Sequence, residues 1–396
     1  MVAKIEKNII FATQFYKESS MKFIVSRDVL YRNLSAVSGV MSSSSSMTIL
    51  DNVLMTIEGS KLKLTASDTE STMQAVIDLT DVEGEGSVAV PAKILTETLK
   101  LIPETPINFF INEEAKTVNF KAANGDYDAP CYDGNEYPQI GEIANASSFD
   151  IDSSVLQRAI SKTLFATGND ELRPNMMGVL CELNEEGVTF VATDAHKLVR
   201  YRNDQVKLPE PASFILPKKP ISHLKNILSS VNENVHVEFS KENNHISFSF
   251  GNYVLYSILK EGKYPKYESV IPKENPMSLV IDRDELLKSI KRVGIYSNQS
   301  TFQIRVSLSE NGTTITAEDV DYSNKAIENV AGEYTGEAME IGFNSRFLRE
   351  MLENMDSHQV RLEMSEPSRA ALLLPVEEFD EHEQLLMLIM PVMLNY

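Results

Sequence analysis

Apolar residues recur at helical spacing in six stretches of the chain, and these fall into two sets of three. Leu30/Leu34/Val37, Leu156/Ile160/Leu164 and Leu286/Ile290/Val293 form one set. Leu95/Leu99/Ile102, Leu224/Leu228/Val231 and Leu348/Leu352/Met355 form the other. Residues spaced this way share one face of a helix, so each trio predicts a helix packed by one side. Elsewhere the pattern changes to alternation. Leu62 and Leu64 alternate with lysines, and Ile246, Phe248 and Phe250 with serines, as half-buried strands require. Further strands are predicted at Met21-Lys22-Phe23 and Val53–Ile57, with tight turns at Asn124-Gly125 and Glu310-Asn311-Gly312. Asp282, three residues before Glu285, fits a helix N-terminus whose free backbone N–H the aspartate accepts.

The six trios belong to a longer repetition. Val191-Ala192-Thr193-Asp194-Ala195-His196 is preceded by Leu64-Thr65-Ala66-Ser67-Asp68 and followed by Ile315-Thr316-Ala317-Glu318-Asp319, with the aspartates 126 and 125 residues apart. The helix openings Val90-Pro91-Ala92-Lys93, Leu216-Pro217-Lys218-Lys219 and Gly342-Phe343-Asn344-Ser345 keep a period of 126. Such a period is longer than that of solenoid repeats and indicates tandem domains. Three homologous domains are expected over 21–147, 148–275 and 276–396, after a leader at 1–20 that lies outside the repeat. Linkers fall near Ala144–Ser148 and Lys273–Met277. Gly134-Asn-Glu-Tyr137-Pro138 and Gly262-Lys-Tyr264-Pro265 close the first two units alike, and Ser42–Ser46 reads as a mobile loop.

Charge changes the picture only when it is counted by element. The 396 residues carry a net −20, which taken whole argues against a polyanionic partner. The six helical segments alone hold fifteen Lys/Arg and six Asp/Glu, a net of +9 that leaves −29 for the rest. Equivalent helices facing one way would gather that positive charge on one surface, as suits a polyanion held there and repelled elsewhere. The plain alternative is six solvated helix faces with ordinary lysine and arginine usage. Cys131 and Cys181 fall in different units and give no disulfide framework, so a reducing, cytoplasmic setting is expected. The apolar run Leu385–Met393 is too short to span a bilayer, and the leader makes a poor signal or transit sequence.

Candidate chemistry is sparse. The sequence has no nucleophile elbow, P-loop, dinucleotide fingerprint, HExxH or CxxC. His196, two residues after Asp194, suggests an oriented base or a metal pair, but no nearby spacing supplies further ligands. An aspartate repeated three times at equivalent places fits a hydrogen-bonded turn better. No catalytic residue, metal or cofactor is expected, and the chain reads as a non-enzyme. The methionine-rich end (Met387, Met390, Met393) reads as a buried last strand, as one wall of a groove for partner peptides, or as both.

The repeats, together with Thr48-Ile-Leu-Asp-Asn52, Val191-Ala-Thr-Asp-Ala-His-Lys-Leu198, Gly262-Lys-Tyr-Pro265, Met339-Glu-Ile-Gly-Phe-Asn344 and Met390-Pro391, resemble the bacterial DNA polymerase III beta subunits, the sliding clamps. The resemblance covers 21–394. It implies an α+β fold of three clamp domains, each two helices backed by antiparallel sheets, forming half of a head-to-tail dimeric ring around double-stranded DNA held without regard to sequence. It also implies a groove for peptides from the clamp loader, the replicative polymerase and other clamp-motif proteins. Carried over by position, that groove comprises Arg173, Met176, Thr193, His196, Lys197, Leu198, Pro265, Val270, Leu388, Met390 and Pro391. DNA contacts would be Lys93, Lys100, Lys218 and Lys219, and the ring joint Tyr127, Ala129, Ile295 and Tyr296. The chain departs from the family at Lys197 and Met393, where arginine is usual, and at the small Ala129. Ser44 stands where some members have a basic residue, and Pro174 and Asn175 where some have aromatics. The rival readings are a tandem-domain peptide-binding scaffold that does not encircle DNA, and an enzyme using Asp194 and His196.

Overall fold

A computed structural model describes residues 20–42, 47–139, 143–240, 242–377 and 380–394. The leader up to residue 19, Ser44 with the core of the serine run, and Asn395-Tyr396 lie outside the described residues. The periodic stretches form α-helices at Arg27–Ser38, Ala92–Leu101, Ser153–Thr163, Lys218–Leu228, Arg283–Gly294 and Ser345–Glu353. They pack in pairs, the first against the second, the third against the fourth and the fifth against the sixth. In four trios the last member lies just beyond the helix end. Ile102, Leu164 and Met355 are buried there all the same, while Val231 is half-buried.

The leading helix of each repeat starts on a capped residue. The Ser26 and Asp152 side chains accept from the N–H groups of Val29 and Ser154, and Asp282 from that of Glu285 at 2.9 Å. Each side chain satisfies a donor that the first helical turn leaves free. The first residue of each helix then repeats one more bond: Arg27 N–H to Thr105 O, Ser153 N–H to Glu233 O and Arg283 N–H to His358 O, at 3.1, 3.1 and 2.9 Å. The repeat seen in the sequence is thus also a repeat of hydrogen bonds.

By contacts the chain divides into two units: the described part of Met1–Ser148 with Val235–Ile258, and Phe149–Asn234 with Leu259–Tyr396. This division does not follow the three sequence repeats, because the sheets run across repeat boundaries. In the first unit, Ser71–Asp78 of repeat one pairs antiparallel with Tyr253–Ile258 of repeat two, Leu255 opposite Met73. In the second unit, Lys197–Asn203 of repeat two pairs with Glu383–Ile389 of repeat three, Leu198 opposite Leu388. A ladder of backbone bonds holds those strands more firmly than any linker does, so repeat two contributes to both units.

Each unit also has a smaller sheet. In the first, the order is Thr80–Glu83, Ser20–Ser26, Pro106–Asn112, Thr117–Ala122, Gly125–Pro130, with Phe23, Phe109, Phe120 and Tyr127 stacked in a row at 4.8–5.5 Å. In the second, it is Asn324–Val330, Gly312–Asp319, Gln303–Ser309, Met339–Asn344. The free thiols of Cys131 and Cys181 are both buried, and desolvation raises their pKa, which keeps them protonated and unreactive.

Candidate functional site

The seam between repeats two and three, inside the second unit, gathers the residues singled out at positions 173–198, 265–270 and 388–391. It begins at the repeated aspartate. Asp194 Oδ1 accepts from the backbone N–H groups of His196 and Lys197, both at 2.9 Å, and Oδ2 accepts from Lys197 Nζ at 2.7 Å. Ala195 takes φ 75°, a left-handed conformation that the tight turn between the two strands requires. The other copies do the same work. Asp68 accepts from the N–H groups of Glu70 and Ser71, and Asp319 from that of Asp321. The carboxylate is spent on closing a hairpin, and the His196 ring instead stacks on Phe347, with centroids 5.8 Å apart. Asp194 therefore does not orient the imidazole as a base, and the enzyme reading loses its pair.

Beside the turn lies an apolar floor of Leu180, Val191, Leu198, Ile215, Tyr264, Tyr267, Leu372 and Leu388, all buried, with Ile271 and Leu386 against it. Tyr264 fixes its depth: the hydroxyl accepts from Thr193 N–H at 3.1 Å, which ties the Gly262–Pro265 segment to the strand entering the turn. Burial raises the Tyr264 pKa, so the hydroxyl keeps its proton. Tyr264→Phe would leave a buried N–H unpaired and cost about 1–3 kcal/mol. We expect calorimetry to show a lower unfolding midpoint for this variant; an unchanged midpoint would mean the bond contributes nothing.

The rim is exposed or half-buried and comes from four segments. Met176 is held by its carbonyl, which accepts from Gly168 N–H at 2.8 Å, and Asn175 donates to Lys263 O at 2.6 Å. Arg173 pairs with Asp170 at the surface. Val270 is 52% exposed, and Pro265 is half-buried. Met390 N–H donates to His196 O at 2.8 Å, which brings the chain's end to the turn and leaves the Met390 side chain at the surface beside Pro391.

Lys197 is buried beside the turn. Its side chain is only 5% exposed; Nζ meets Asp194 at 2.7 Å and Glu350 at 3.3 Å and lies 4.4 Å from the centre of the Phe347 ring. The charge is consumed in fastening the hairpin to helix Ser345–Glu353, because a buried ammonium is tolerable only when paired. Thr193, Leu198 and Leu388 are likewise buried and serve as floor rather than rim. Phe347 and Glu350 were missed by the sequence analysis, since helical spacing gives them no distinction from other surface residues.

The first unit contains the equivalent of this seam with a different floor. Tyr137 stands for Tyr264, its hydroxyl accepting from Ser67 N–H at 3.0 Å, and Leu50, Leu54 and Ala89 pack around it. One period before Val191 and Leu198, however, stand Thr65 and Thr72. Their hydroxyls are within hydrogen-bond distance of Gln74 and Ser67, at 3.3 and 2.7 Å. A polar, self-satisfied floor offers little to an apolar side chain, so the two seams are not chemically interchangeable.

The helix cations are fewer in effect than in the count. Arg158 is bidentate to Glu383, Lys162 pairs with Asp356, Arg292 with Glu328 and Lys291 with Glu353. Arg27 and Arg283 meet the neighbouring Asp28 and Asp284. Counting by element assigned +9 to the helices, whereas folding brings acids from other elements to several of those charges. Lys93 and Lys100 are exposed and have no ion pair among the described residues. Lys218 Nζ donates to Asn169 at 2.9 Å, and Lys219 is exposed with a partner of its own.

The four joint positions divide. Ile295 and Tyr296, after helix Arg283–Gly294, are 70% and 42% exposed. Tyr127 and Ala129 face inward by strand alternation, and Ala129 is buried in its own unit; Asp126 and Asp128 point out. On this strand the surface is therefore formed by the backbone edge of Gly125–Pro130, the Asp126 and Asp128 side chains and part of Tyr127. Among the described residues, no group of three His, Cys, Asp or Glu is arranged to hold a metal. No helix there is long and apolar enough to cross a membrane.

Comparison with known proteins covers most of the chain, from 21 to 392. Sequence models of the DNA polymerase III beta subunit match at 21–141 for its N-terminal domain, 150–266 for its central domain and 268–392 for its C-terminal domain. The beta sliding clamp of Pseudomonas aeruginosa is 31% identical over 354 residues, 89% of this chain and 95% of that protein. The Caulobacter vibrioides clamp is 27% identical over 90% of this chain and 97% of its own. A crystal structure of the P. aeruginosa DnaN sliding clamp bound to griselimycin superposes with a TM-score of 0.89 at 30% identity, covering 95% of this chain and all of that one. The Bacillus subtilis clamp, 22% identical over 95% of this chain and all of its own, shares the fold with a TM-score of 0.88. With its three α+β domains of paired helices and antiparallel sheets, the chain belongs to the DNA polymerase III beta subunit family, the beta sliding clamps.

Proposed function

We propose that two copies of this sliding clamp join head to tail into a ring around duplex DNA, while the seam groove of the second unit takes peptide segments of partner proteins. The observation that carries this reading is the pattern of seams. The strand after the repeated aspartate pairs with the last strand of the next repeat, Ser71–Asp78 with Tyr253–Ile258 and Lys197–Asn203 with Glu383–Ile389. One member of each kind is left over: Asn324–Val330 after Asp319, and Gly125–Pro130 at the end of repeat one, each the edge of its sheet. A second copy supplies both missing partners at once, so the same rule applied between copies closes a two-fold assembly in which both of these edges are paired. Ile327, 59% exposed on the first of these edges, then joins Ile295 and Tyr296 in the joint.

In that ring Lys93, Lys100, Lys218 and Lys219 hold phosphates without reading bases, and retention comes from closure rather than grip. The domains run 21–147, 148–275 and 276–396. The floor around Leu198 and Leu388 buries leucine or phenylalanine anchors, worth about 1.5–3 kcal/mol each, from the clamp loader, the replicative polymerase and other clamp-motif proteins. The protein works in the cytoplasm, with no catalysis and no cofactor.

Loading onto closed circular DNA tests the assembly. We expect the protein to stay on the circle through extensive washing and to leave when one cut linearises it. Equal release from circle and line would favour a peptide-binding scaffold that never encircles DNA.

A further inference from the structure

We infer that Gly342 is a positioning residue for the peptide groove, and that its missing side chain makes room for a C-terminal strap which sets the Met390 rim. The inference rests on the proposal that the seam binds peptides. Gly342 sits in Met339–Asn344, paired on one side with Gln303–Ser309 through Arg305. On its other side Val392 N–H donates to Gly342 O at 2.8 Å. A Cβ at 342 would lie 2.4 Å from Val392 O and 2.9 Å from Leu394 Cδ2. The first is a backbone atom with nowhere cheap to move. The backbone at 342 is outside the left-handed region, so the glycine is needed for space and not for conformation.

The strap has two fasteners. Met390 N–H is bonded to His196 O and Val392 N–H to Gly342 O, with Pro391, which has no N–H to offer, between them. Two anchors on either side of a ring-restricted residue fix the direction of the segment, leaving Met390 and Met393 39% and 71% exposed. The turn at His196 supplies one anchor and the edge strand at Gly342 the other. The position of the rim is therefore decided by a residue whose own atoms need not touch a bound peptide.

The test uses the full chain, with griselimycin as the probe. Gly342→Ala and, independently, Val392→Pro each remove the second fastener, one by crowding and one by deleting the donor. We expect both variants to bind griselimycin about tenfold more weakly than wild type, as a site left loose by its support does. Gly342→Ala should also lose hydrogen-exchange protection at the Val392 amide, and the fraction of each variant that is loaded should dissociate from circular DNA as slowly as wild type. In a chain ending at Ile389, alanine and glycine at 342 should bind griselimycin equally. The inference is overturned if Gly342→Ala keeps Val392 protected, if either variant binds griselimycin as wild type does, or if alanine weakens binding equally in the shortened chain. In the wild-type chain griselimycin should slow hydrogen exchange at the seam, at Val270 and Met390; no binding, or binding without that protection, sinks the groove reading itself, and Val392 protection then decides separately whether the strap exists.

Discussion

Glu383→Ala destabilises the second unit by about 3–5 kcal/mol, the cost of leaving a buried charge without its partner. Arg158 Nε and the guanidinium nitrogen beside it meet both Glu383 oxygens at 2.6–2.9 Å, with the two side chains 19% and 6% exposed. The pair joins a helix of repeat two to the strand of repeat three that forms the groove wall, next to the buried Tyr201. Burial, which the variant retains, is the largest cause raising the Tyr201 phenol above its usual range, so the phenol does not take the place of the lost anion. Chemical denaturation of the variant should show a lower midpoint for the transition of the second unit. Arg158→Met with Glu383→Leu should recover most of the loss, because two apolar groups need no partner. A single-variant loss under 1 kcal/mol would show that the guanidinium finds water instead.

The second large effect concerns DNA. Replacing Lys93, Lys100, Lys218 and Lys219 together by alanine should flatten the plot of log affinity against log salt by about 1.8 to 3.6, roughly 0.9 for each phosphate that is no longer neutralised, with Lys93 and Lys100 counting in full and Lys218 and Lys219, which have partners of their own, counting for less. The weakening should be alike on unrelated DNA sequences, since phosphate contacts carry no base information. Lys291→Ala is the control: that ammonium already pairs with Glu353 at 2.8 Å, so its removal should change the slope little. A slope unmoved by the fourfold change would remove these lysines from the DNA-binding surface.

Both predictions depend on which helix cations are already engaged, and that is where reading the sequence stopped. Helical spacing and the 126-residue period depend on local sequence, so six helices, the hairpins and their repetition could be read directly. The aspartate turn was legible for the same reason: Asp194 reaches N–H groups only two and three residues ahead. Arg158 and Glu383 are 225 residues apart, and no local pattern announces that they meet. Lys197 joins the groove positions by resemblance alone; Glu350 and Phe347, which pack against it, come from another repeat, so no local pattern shows that it is buried. Ala129 carries a joint position by resemblance, and that its side chain lies buried in its own unit is set by the sheet to which its strand belongs.

The sequence by itself determined the module, its threefold repetition and the turn chemistry, since each rests on interactions within a few residues or on self-similarity. Tertiary structure alone decided which charges remain free, which strands of different repeats meet at each seam, and how the end of the chain is strapped beside His196. Those outcomes depend on partners brought together by strand pairing across repeats, over separations at which sequence order carries no distance information.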